Sequence, residues 1–588
     1  MADQKAENIL NLALSTPEAE RVQTEELNVG YQTSTKTWEL IVTYNGALSA
    51  VLEQKFPSVE IKELLGGFAI LHVPEELVES IINIEEIEYV EKPKRLYFAV
   101  NRARAASCFL PVQTGCGAGA KCMERIAGQI NTERSNLTGS GVLIGILDSG
   151  IDYFHEDFRN ADGSTRILFL YDQVLKRVFT QEKINEALET GSREMARQVV
   201  PSADSSGHGT AVAGIAAGNG RESGGKYRGA AYGSDLIVVR LGTADPAGFP
   251  RTTQVMDGLD FAVRKAVELG KPISVNLSFG NTYGSHDGNG LFERYIDRIA
   301  EIGRSVFVIG TGNEGDKAGH TSGQLETEDQ VIELSAAPYE SGFSIQLWKS
   351  YGDDFEIYLT DPSGTVTERI SDRSGAYQIN MDGATVLVYY GEPSPFSESQ
   401  EIYLEFIPRE TYVESGIWRF TLRPRRITDG RYDFWLPSAG ALNRSTRFLR
   451  PTPDTTLTIP STARRPVSVG AYDDALQIYA GFSGRGNTRT YGIPKPDLVA
   501  PGVGIVAPAR GGGYAPVTGT SFAAPLAAGA AALLMEWGIV NGNDPYLYGD
   551  KVKAYLKNGA KALPGERIYP NPRTGWGALC VSDSFPQI

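Results

Sequence analysis

Three short motifs in this chain of 588 residues carry side chains suited to acid–base and nucleophilic chemistry. The apolar run Val142–Leu147 ends in Asp148, and open α/β sheets place their sites at the carboxyl ends of such strands. His208 begins a helix of small residues, and Ser521 stands at the start of an Ala-rich helix. A serine at a helix N-terminus has its own N–H free to donate to a developing oxyanion. Together these residue types indicate nucleophilic catalysis by a Ser-His-Asp set.

Each motif alone has an ordinary structural interpretation. Asp148 could be a solvated turn residue, His208 a structural or surface histidine, and Ser521 a helix N-cap. A simple N-cap would not explain the flanking Gly519 and Thr520, nor the unusually small residues of the helix that follows. The three motifs together are therefore far more specific than any one of them.

In this order, Asp then His then Ser, the sequence resembles the subtilase family of serine proteases. Two further segments match the family: Val308–Gly315, which contains Asn313, and Lys495–Gly502. The resemblance covers roughly 137–316 and 456–588. The motifs that carry it are Asp148-Ser149-Gly150, Gly207-His208-Gly209-Thr210 and Gly519-Thr520-Ser521-Phe522-Ala523-Ala524-Pro525.

The resemblance implies a role for each motif residue. His208 would take the proton of Ser521 during attack on a peptide carbonyl, while Asp148 would orient the imidazole and stabilise its cation. Asn313 and the Ser521 backbone N–H would bind the oxyanion. Two segments would form the walls of the substrate pocket: Ser278, Phe279 and Gly280 on one side, and Gly310, Thr311 and Gly312 on the other.

The resemblance to subtilases implies that catalysis needs no cofactor. Members of the family can nevertheless carry a calcium-binding loop. The loop Asn219–Tyr227 does not match the family's calcium-binding loop, whereas Asp157 stands where one ligand would be. We therefore expect no required cofactor and no metal ligands, with calcium at this loop left open as the weaker alternative.

The periodicity of the chain predicts an α/β fold with two additions. Continuous apolar strands alternating with helices predict a parallel sheet covered on both faces. A β-α-β-β-α-β order over 37–92 predicts a ferredoxin-like unit, and short alternating strands with turn signals predict an inserted β-sandwich of the jelly-roll type. The expected order is a prodomain (1–98, with an ordered core at about 37–92), a linker (99–136), a first catalytic part (137–316), the sandwich (317–455) and a second catalytic part (456–588).

This layout more closely resembles the clostridial spore-germination (Csp) proteases. The likeness rests on Ile151–Asn160, on Asp162–Ile167 and on the sandwich inserted before the serine. It implies a prodomain that is self-cleaved and often stays bound, and it suggests that the protein activates a zymogen such as a spore cortex-lytic hydrolase. The alternative is a prodomain-bound sensor or scaffold of the pseudoprotease kind.

Self-cleavage is expected between Leu96 and Ala106, because a subtilase prodomain must pass its tail through the catalytic cleft. We read Leu96–Val100 as extended and suited to pairing with Ser278–Gly280. The residues favoured for the main pocket are Tyr97, Phe98 and Ala99.

Charge and composition exclude several other classes of function. With 56 basic and 71 acidic residues the net charge is −15, which disfavours nucleic acid and anionic membranes as partners. The expected partners are a protein or peptide substrate and the chain's own prodomain. The N-terminal stretch lacks the apolar core of a secretory signal, so we expect a cytoplasmic or spore-associated protein, with secretion by another route left open.

The four cysteines, Cys108, Cys116, Cys122 and Cys580, are too few for a disulfide framework. Three of them fall in one Gly-rich stretch, but no histidine lies nearby and no C-x-x-C spacing occurs. Free thiols are therefore expected rather than a metal site. Three tryptophans of the insert, Trp348, Trp418 and Trp435, are either core residues or a carbohydrate-stacking platform.

Overall fold

The structure is a computed structural model, and the chain divides into two compact units, 1–97 and 98–588. The residues that it describes are 30–64, 67–92, 99–114, 136–242, 250–367, 369–370, 375–395, 397–489 and 493–586, with scattered positions among the first 18.

The first unit contains a small antiparallel sheet, and two α-helices lie within its described segment 30–92. Its elements are β1 (Tyr31–Gln32), β2 (Thr37–Tyr44), α1 (Leu48–Lys55), β3 (Glu60–Leu64), β4 (Phe68–Pro74), α2 (Val78–Ile82) and β5 (Ile87–Glu91). The strand order β5-β2-β4-β3 is that of a ferredoxin-like fold, as the sequence predicted. Alternate residues of β2 (Trp38, Leu40 and Val42) are fully buried in its core, which explains the period of two in this segment.

The second unit begins with two helices and then builds an α/β sheet. Its first elements are α3 (Ala99–Ala106), α4 (Phe109–Thr114), β6 (Leu143–Asp148), β7 (Ile167–Asp172), β8 (Arg177–Thr180), α5 (Gln181–Glu189), α6 (Arg193–Val199), α7 (His208–Ala217), β9 (Asp235–Arg240), α8 (Thr252–Glu268), β10 (Ile273–Leu277), α9 (Leu291–Ile299) and β11 (Ser305–Gly310).

Ten strands follow within 320–448. They are β12 (His320–Gln324), β13 (Gln330–Ala336), β14 (Phe343–Ser350), β15 (Asp354–Thr360), β16 (Gly375–Asn380), β17 (Thr385–Tyr390), β18 (Ser399–Ile407), β19 (Gly416–Arg426), β20 (Arg431–Trp435) and β21 (Arg447–Phe448). The chain then returns to the first sheet with β22 (Val467–Asp473), β23 (Ile478–Tyr479), β24 (Leu498–Pro501), β25 (Ile505–Pro508), β26 (Tyr514–Val517), α10 (Thr520–Met535) and α11 (Asp550–Asn558).

The large sheet has the order β23-β22-β11-β10-β6-β9-β7-β8, with β24 on β22. The pairs from β22 to β7 are parallel, and the edge strands β8 and β23 are antiparallel to their neighbours. Leu143 and Leu147 of β6 face the core that contains α8 and α9, whereas Ile144 and Ile146 face the core that contains α7 and α10. Because both faces of these strands are buried, their sequences are continuous apolar runs rather than alternating ones.

Helix α10 is the central helix of this unit. The segment Thr520–Val540 is long and apolar enough to cross a membrane, but 89% of its most apolar stretch is buried inside the protein. Gly529 shows how tightly the helix packs, because a Cβ there would lie 3.1 Å from the carbonyl oxygen of Ala216 in α7. Small residues therefore serve close helix packing here.

The inserted block forms two antiparallel sheets, β12-β20-β14-β18-β17-β16 and β15-β19-β13-β21. Their inner faces share one apolar core that includes Phe406, Trp418 and Phe434. Strand β16 shows why short strands of this block are hard to predict from the sequence, since it alternates only between half-buried and exposed residues. The jelly-roll type of this sandwich stays a prediction.

Two of the three tryptophans considered as carbohydrate platforms are buried. Trp418 lies in the sandwich core, and Trp435 is stacked between two histidine rings, His286 at 4.3 Å and His320 at 4.6 Å between centroids. His286 belongs to the α/β part, so the stack joins it to the sandwich. Burial lowers the pKa of His286 to about 4, while the carbonyl oxygens of Thr282 and Leu457, each 2.9 Å from a ring nitrogen, act in the opposite direction.

The predicted linker is in part helical, which corrects two expectations. Helix α3 includes Ala99 and Val100, which the sequence prediction had as extended, because its Ala- and Arg-rich residues favour helix and Ala103 packs into the main core. Cys108, between α3 and α4, forms a disulfide with Cys580, with Cα atoms 4.9 Å apart. The expectation of free thiols is therefore wrong for this pair, while Cys116 and Cys122 lie outside the described residues.

Replacing Cys108 by serine should lower the free energy of unfolding by about 2–4 kcal/mol, because the disulfide closes a long loop of the unfolded chain. Thermal unfolding with and without reductant measures the effect. Reductant should lower the unfolding temperature of the wild type and leave Cys108→Ser unchanged. Full alkylation of Cys108 in unreduced, denatured protein would contradict the pairing.

Candidate active site

Asp148 is the last residue of β6 and is fully buried. Its Oδ1 accepts hydrogen bonds from the Ser149 backbone N–H (2.7 Å) and from His208 Nδ1 (2.8 Å). A Cβ on Gly209 would lie 3.1 Å from Asp148 Oδ1 and would overlap the Gly150 carbonyl oxygen. Glycine at position 209 therefore lets the helix that carries the histidine approach the end of the strand.

The helix that carries His208 is held by an aspartate that the sequence analysis missed. Asp204 is buried, and its Oδ2 accepts from the backbone N–H (2.8 Å) and the hydroxyl (2.6 Å) of Thr210 in the first turn of α7. Its Oδ1 accepts from the hydroxyl of Ser149 at 2.7 Å. Asp204 thus links the first turn of α7 to the end of β6. An acidic residue a few positions before a helix start is the signal that could have found it.

The charge state of His208 is set by two opposing effects. Burial disfavours the imidazolium, but the charge of Asp148 and its hydrogen bond outweigh burial, so the pKa of His208 lies above its ordinary value. The Asp204 carboxylate acts in the same direction. Because Nδ1 bonds to Asp148, Nε2 is the ring nitrogen left for proton transfer.

Ser521 lies in the first turn of α10, next to the segment that follows β10. Its hydroxyl donates to the Ser278 carbonyl oxygen at 3.3 Å, while the Ser278 hydroxyl donates to the Ser521 carbonyl oxygen at 3.0 Å. Among the described hydrogen bonds, none joins Ser521 Oγ to His208. The rings of Phe522 and His208 lie 5.2 Å apart between centroids, so α10 brings this turn beside the imidazole.

Asn313 is oriented by the residue before the serine. Its Oδ1 accepts from the backbone N–H (3.1 Å) and the hydroxyl (3.3 Å) of Thr520. Because Oδ1 already accepts these two hydrogen bonds, the amide nitrogen Nδ2 faces no partner within this pair and remains a donor. Asn313 is exposed to solvent. The donor is therefore available to a carbonyl oxygen beside Ser521.

Comparison with known proteins agrees with this geometry. The model of the subtilase family matches 139–363 and 438–577, which is more than half of the chain. The chain belongs to the subtilase family. Residues 4–94 match the Csp protease B prodomain, so the first unit corresponds to a subtilase prodomain.

The solved Clostridium perfringens CspB protease matches this subtilase with a TM-score of 0.75 and 36% identity, over 82% of this chain and 96% of that one. Serine protease AprX of Bacillus subtilis is 34% identical over 153 residues, and the minor extracellular protease Vpr of the same organism is 23% identical over 479 residues. These matches span 22% and 76% of this chain but only 32% of AprX and 52% of Vpr.

The two predicted walls of the subtilase pocket lie beside the serine helix. Ser278 contacts Ser521 as described, and Phe279 lies 6.2 Å from the His208 ring between centroids. On the other side, the Gly312 backbone N–H donates to Thr520 Oγ1 at 3.1 Å, and a Cβ on Gly310 would lie 3.2 Å from the Thr520 carbonyl oxygen. Thr311, the residue between these two glycines, is buried, and its backbone N–H donates to the Val469 carbonyl oxygen at 3.1 Å.

A cavity of about 400 Å³ is lined in part by Phe279 and Gly280. The sandwich contributes part of its lining, which the sequence analysis did not foresee. Its lining residues include Val255, Phe279, Phe292, Ser344, Pro437 and Ile459. None of its lining residues comes from the Gly310–Gly312 wall, so this cavity is distinct from the space between the two walls.

The region of the family's calcium loop does not fit a calcium ion here. The Tyr514 hydroxyl lies 2.8 and 2.9 Å from the two carboxylate oxygens of Asp157 and shares its one proton with them, and Oδ1 also accepts from the Glu222 N–H at 3.1 Å. His155 Nε2 pairs with Glu222 Oε2 at 3.1 Å. These contacts give the carboxylates protein donors, and the described residues contain no group of three metal-ligating side chains.

Of the processing residues predicted from the sequence, Tyr97 and Phe98 lie outside the described residues. Ala99 is the first residue of helix α3. The structure therefore does not test where the chain is cut.

Proposed function

We propose that this subtilase is a serine endopeptidase whose catalytic residues are Asp148, His208 and Ser521. The observation that carries the proposal is the 2.8 Å bond between His208 and the buried Asp148, with Ser521 in the first turn of the adjacent helix. A buried carboxylate that holds the imidazole by Nδ1 leaves Nε2 to act as the base.

The proposed reaction begins with a rotation of the Ser521 hydroxyl from the Ser278 carbonyl toward His208 Nε2. As Oγ bonds to the peptide carbonyl carbon, its proton passes to Nε2 and the carbonyl oxygen becomes an oxyanion. The intermediate collapses when the C–N bond breaks and the imidazolium gives its proton to the leaving amine. Water then attacks the acyl-enzyme by the same route and releases the acid.

Asn313→Ala should lower kcat by about 10²–10³, as loss of the corresponding donor does in subtilisin, with little change in KM. The reason is that the amide nitrogen contacts the oxyanion, which exists only in the transition state and intermediate. Steady-state kinetics on a peptide amide checks this. Asn443→Ala, a change in the sandwich, serves as the control and should leave kcat unchanged. A rise in KM with unchanged kcat would instead make Asn313 a ground-state contact.

We further propose that the protease removes its own prodomain. The match of 4–94 to a Csp protease B prodomain supports this step. N-terminal sequencing of the large fragment tests it, with starts directly after Tyr97, Phe98 or Ala99 expected. A start after Lys94 or Arg95 that persists in Ser521→Ala protein would assign the cut to another enzyme.

The finer proposal is that a spore cortex-lytic zymogen is the physiological substrate and that the protein is cytoplasmic or spore-associated. It is supported by the similarity to the CspB protease of Clostridium perfringens. Incubating the purified protease with such a zymogen, and then measuring muralytic activity, tests the substrate. Efficient casein cleavage together with an intact zymogen would reject this substrate and keep the endopeptidase.

A further inference from the structure

We propose that Thr458 fills the space between the two pocket walls and limits the residue on the acyl side of the scissile bond to a small side chain. The proposal rests on the proposed endopeptidase function and names its substrate class: peptide bonds that follow glycine, alanine or serine. Thr458 lies between the sandwich and β22, in a segment that the sequence analysis did not connect with the site.

The space between the walls opens beside the nucleophile. Ser278, at the start of one wall, accepts the hydrogen bond of Ser521 Oγ, and Gly312, at the end of the other, donates to Thr520 Oγ1. A side chain that projects from the scissile residue toward these walls must therefore enter the space between Gly280 and Gly312.

One side chain already occupies that space. A Cβ on Gly280 would lie 2.7 Å from Thr458 Cβ, and a Cβ on Gly312 would lie 2.9 Å from the same atom. Both hypothetical atoms would also overlap the Thr458 hydroxyl oxygen. The side chain of Thr458 therefore packs against the Cα atoms of both walls, and it is almost entirely buried.

Backbone hydrogen bonds hold Thr458 in place from both sides. Its N–H donates to the Thr311 carbonyl oxygen at 2.9 Å, and the next residue, Ile459, exchanges two hydrogen bonds with Asn281 at 2.8 and 3.1 Å. The Thr458 hydroxyl, in contrast, has no hydrogen-bond partner among the residues that the structure describes. The side chain is thus positioned by the backbone and by packing, and its volume rather than its hydroxyl defines the floor of the pocket.

A filled space discriminates against large side chains. The neighbouring cavity shares Phe279 and Gly280 with this space, but neither Thr458 nor the Gly310–Gly312 wall lines it. A single methylene group in an apolar pocket changes kcat/KM by about 10–200-fold, so phenylalanine or leucine should be rejected strongly. Among the three processing residues proposed above, Ala99 then fits the pocket, whereas Tyr97 and Phe98 do not.

The test is the cleavage profile of the purified full chain on a peptide series that varies only the residue before the scissile bond. The wild type should cleave after Ala at least about tenfold faster, in kcat/KM, than after Phe. Thr458→Gly should raise the Phe-to-Ala ratio at least about tenfold. Thr458→Val, which keeps the volume and removes the hydroxyl, should leave that ratio within about twofold of wild type.

Two results would overturn the proposal: equal cleavage after Phe and Ala by the wild type, or the same change of ratio in Thr458→Val as in Thr458→Gly. If Thr458→Gly does not fold, Thr458→Ala takes its place. The same Phe-to-Ala ratio of kcat/KM is then compared between the wild type, Thr458→Ala and Thr458→Val. The failure of the endopeptidase proposal looks different, because no peptide of the series would then be cleaved.

Discussion

Ser521→Ala should lower kcat for peptide hydrolysis by about six orders of magnitude, the loss seen when the corresponding serine is removed from subtilisin. The reason is that the proposed mechanism has no second nucleophile, since the hydroxyl of the neighbouring Thr520 already donates to Asn313 Oδ1. The fold should persist, since the hydroxyl makes one hydrogen bond of 3.3 Å to Ser278. Assays on casein and on a peptide amide measure the loss, and circular dichroism checks the fold.

The matched control is Ser363→Ala, the same chemical change at an exposed turn of the sandwich. It should leave hydrolysis and self-cleavage at the wild-type level. If purified Ser521→Ala is still cut at the end of the prodomain, with contaminating protease excluded, the assignment of the nucleophile is wrong.

Asp148→Asn should lower kcat by about 10⁴ and shift the pH profile of kcat/KM to lower pH. The neutral imidazole is the base, so activity rises as pH increases through the pKa of His208. In the wild type Asp148 raises that pKa above 6.5, so half-maximal activity should lie above pH 6.5. An amide removes both the charge and the orientation of the ring, and the pKa should fall.

The control for this variant is Asp162→Asn, which removes a carboxylate on an exposed loop. It should change neither kcat nor the position of the profile. An Asp148→Asn protein with wild-type kcat and an unchanged profile would remove Asp148 from the mechanism.

The large sheet was predictable because its strands are buried on both faces and therefore read as continuous apolar runs. Strands β10 and β11 show this pattern, because every one of their residues is buried. Strand β8 is the opposite case, since it buries only Phe179 among exposed neighbours. One-sided edge strands carry too weak an apolar pattern to be separated from loops.

Some residues of the site could be predicted from short sequence motifs, whereas others depend on contacts that only the folded chain makes. Asp148, His208, Ser521 and Asn313 stand in local motifs, and the structure places them around one turn of α10. Thr458 belongs to no motif, because its role arises from contacts with Gly312 and Gly280, which lie 146 and 178 residues earlier in the chain. The two cysteines of the Cys108–Cys580 disulfide are 472 residues apart in sequence. Their pairing depends on the fold and could not be predicted from the number and spacing of the cysteines.

The most direct test of the central claim is covalent labelling of the wild-type protein with a fluorophosphonate, followed by peptide mass spectrometry. Such a probe reacts with a serine that a neighbouring base activates, so it reports Ser521, His208 and Asp148 together. We expect a single adduct on the peptide that contains Ser521, and its loss in Ser521→Ala. A folded wild-type protein that takes up no label, or an adduct that survives in Ser521→Ala, would contradict the account.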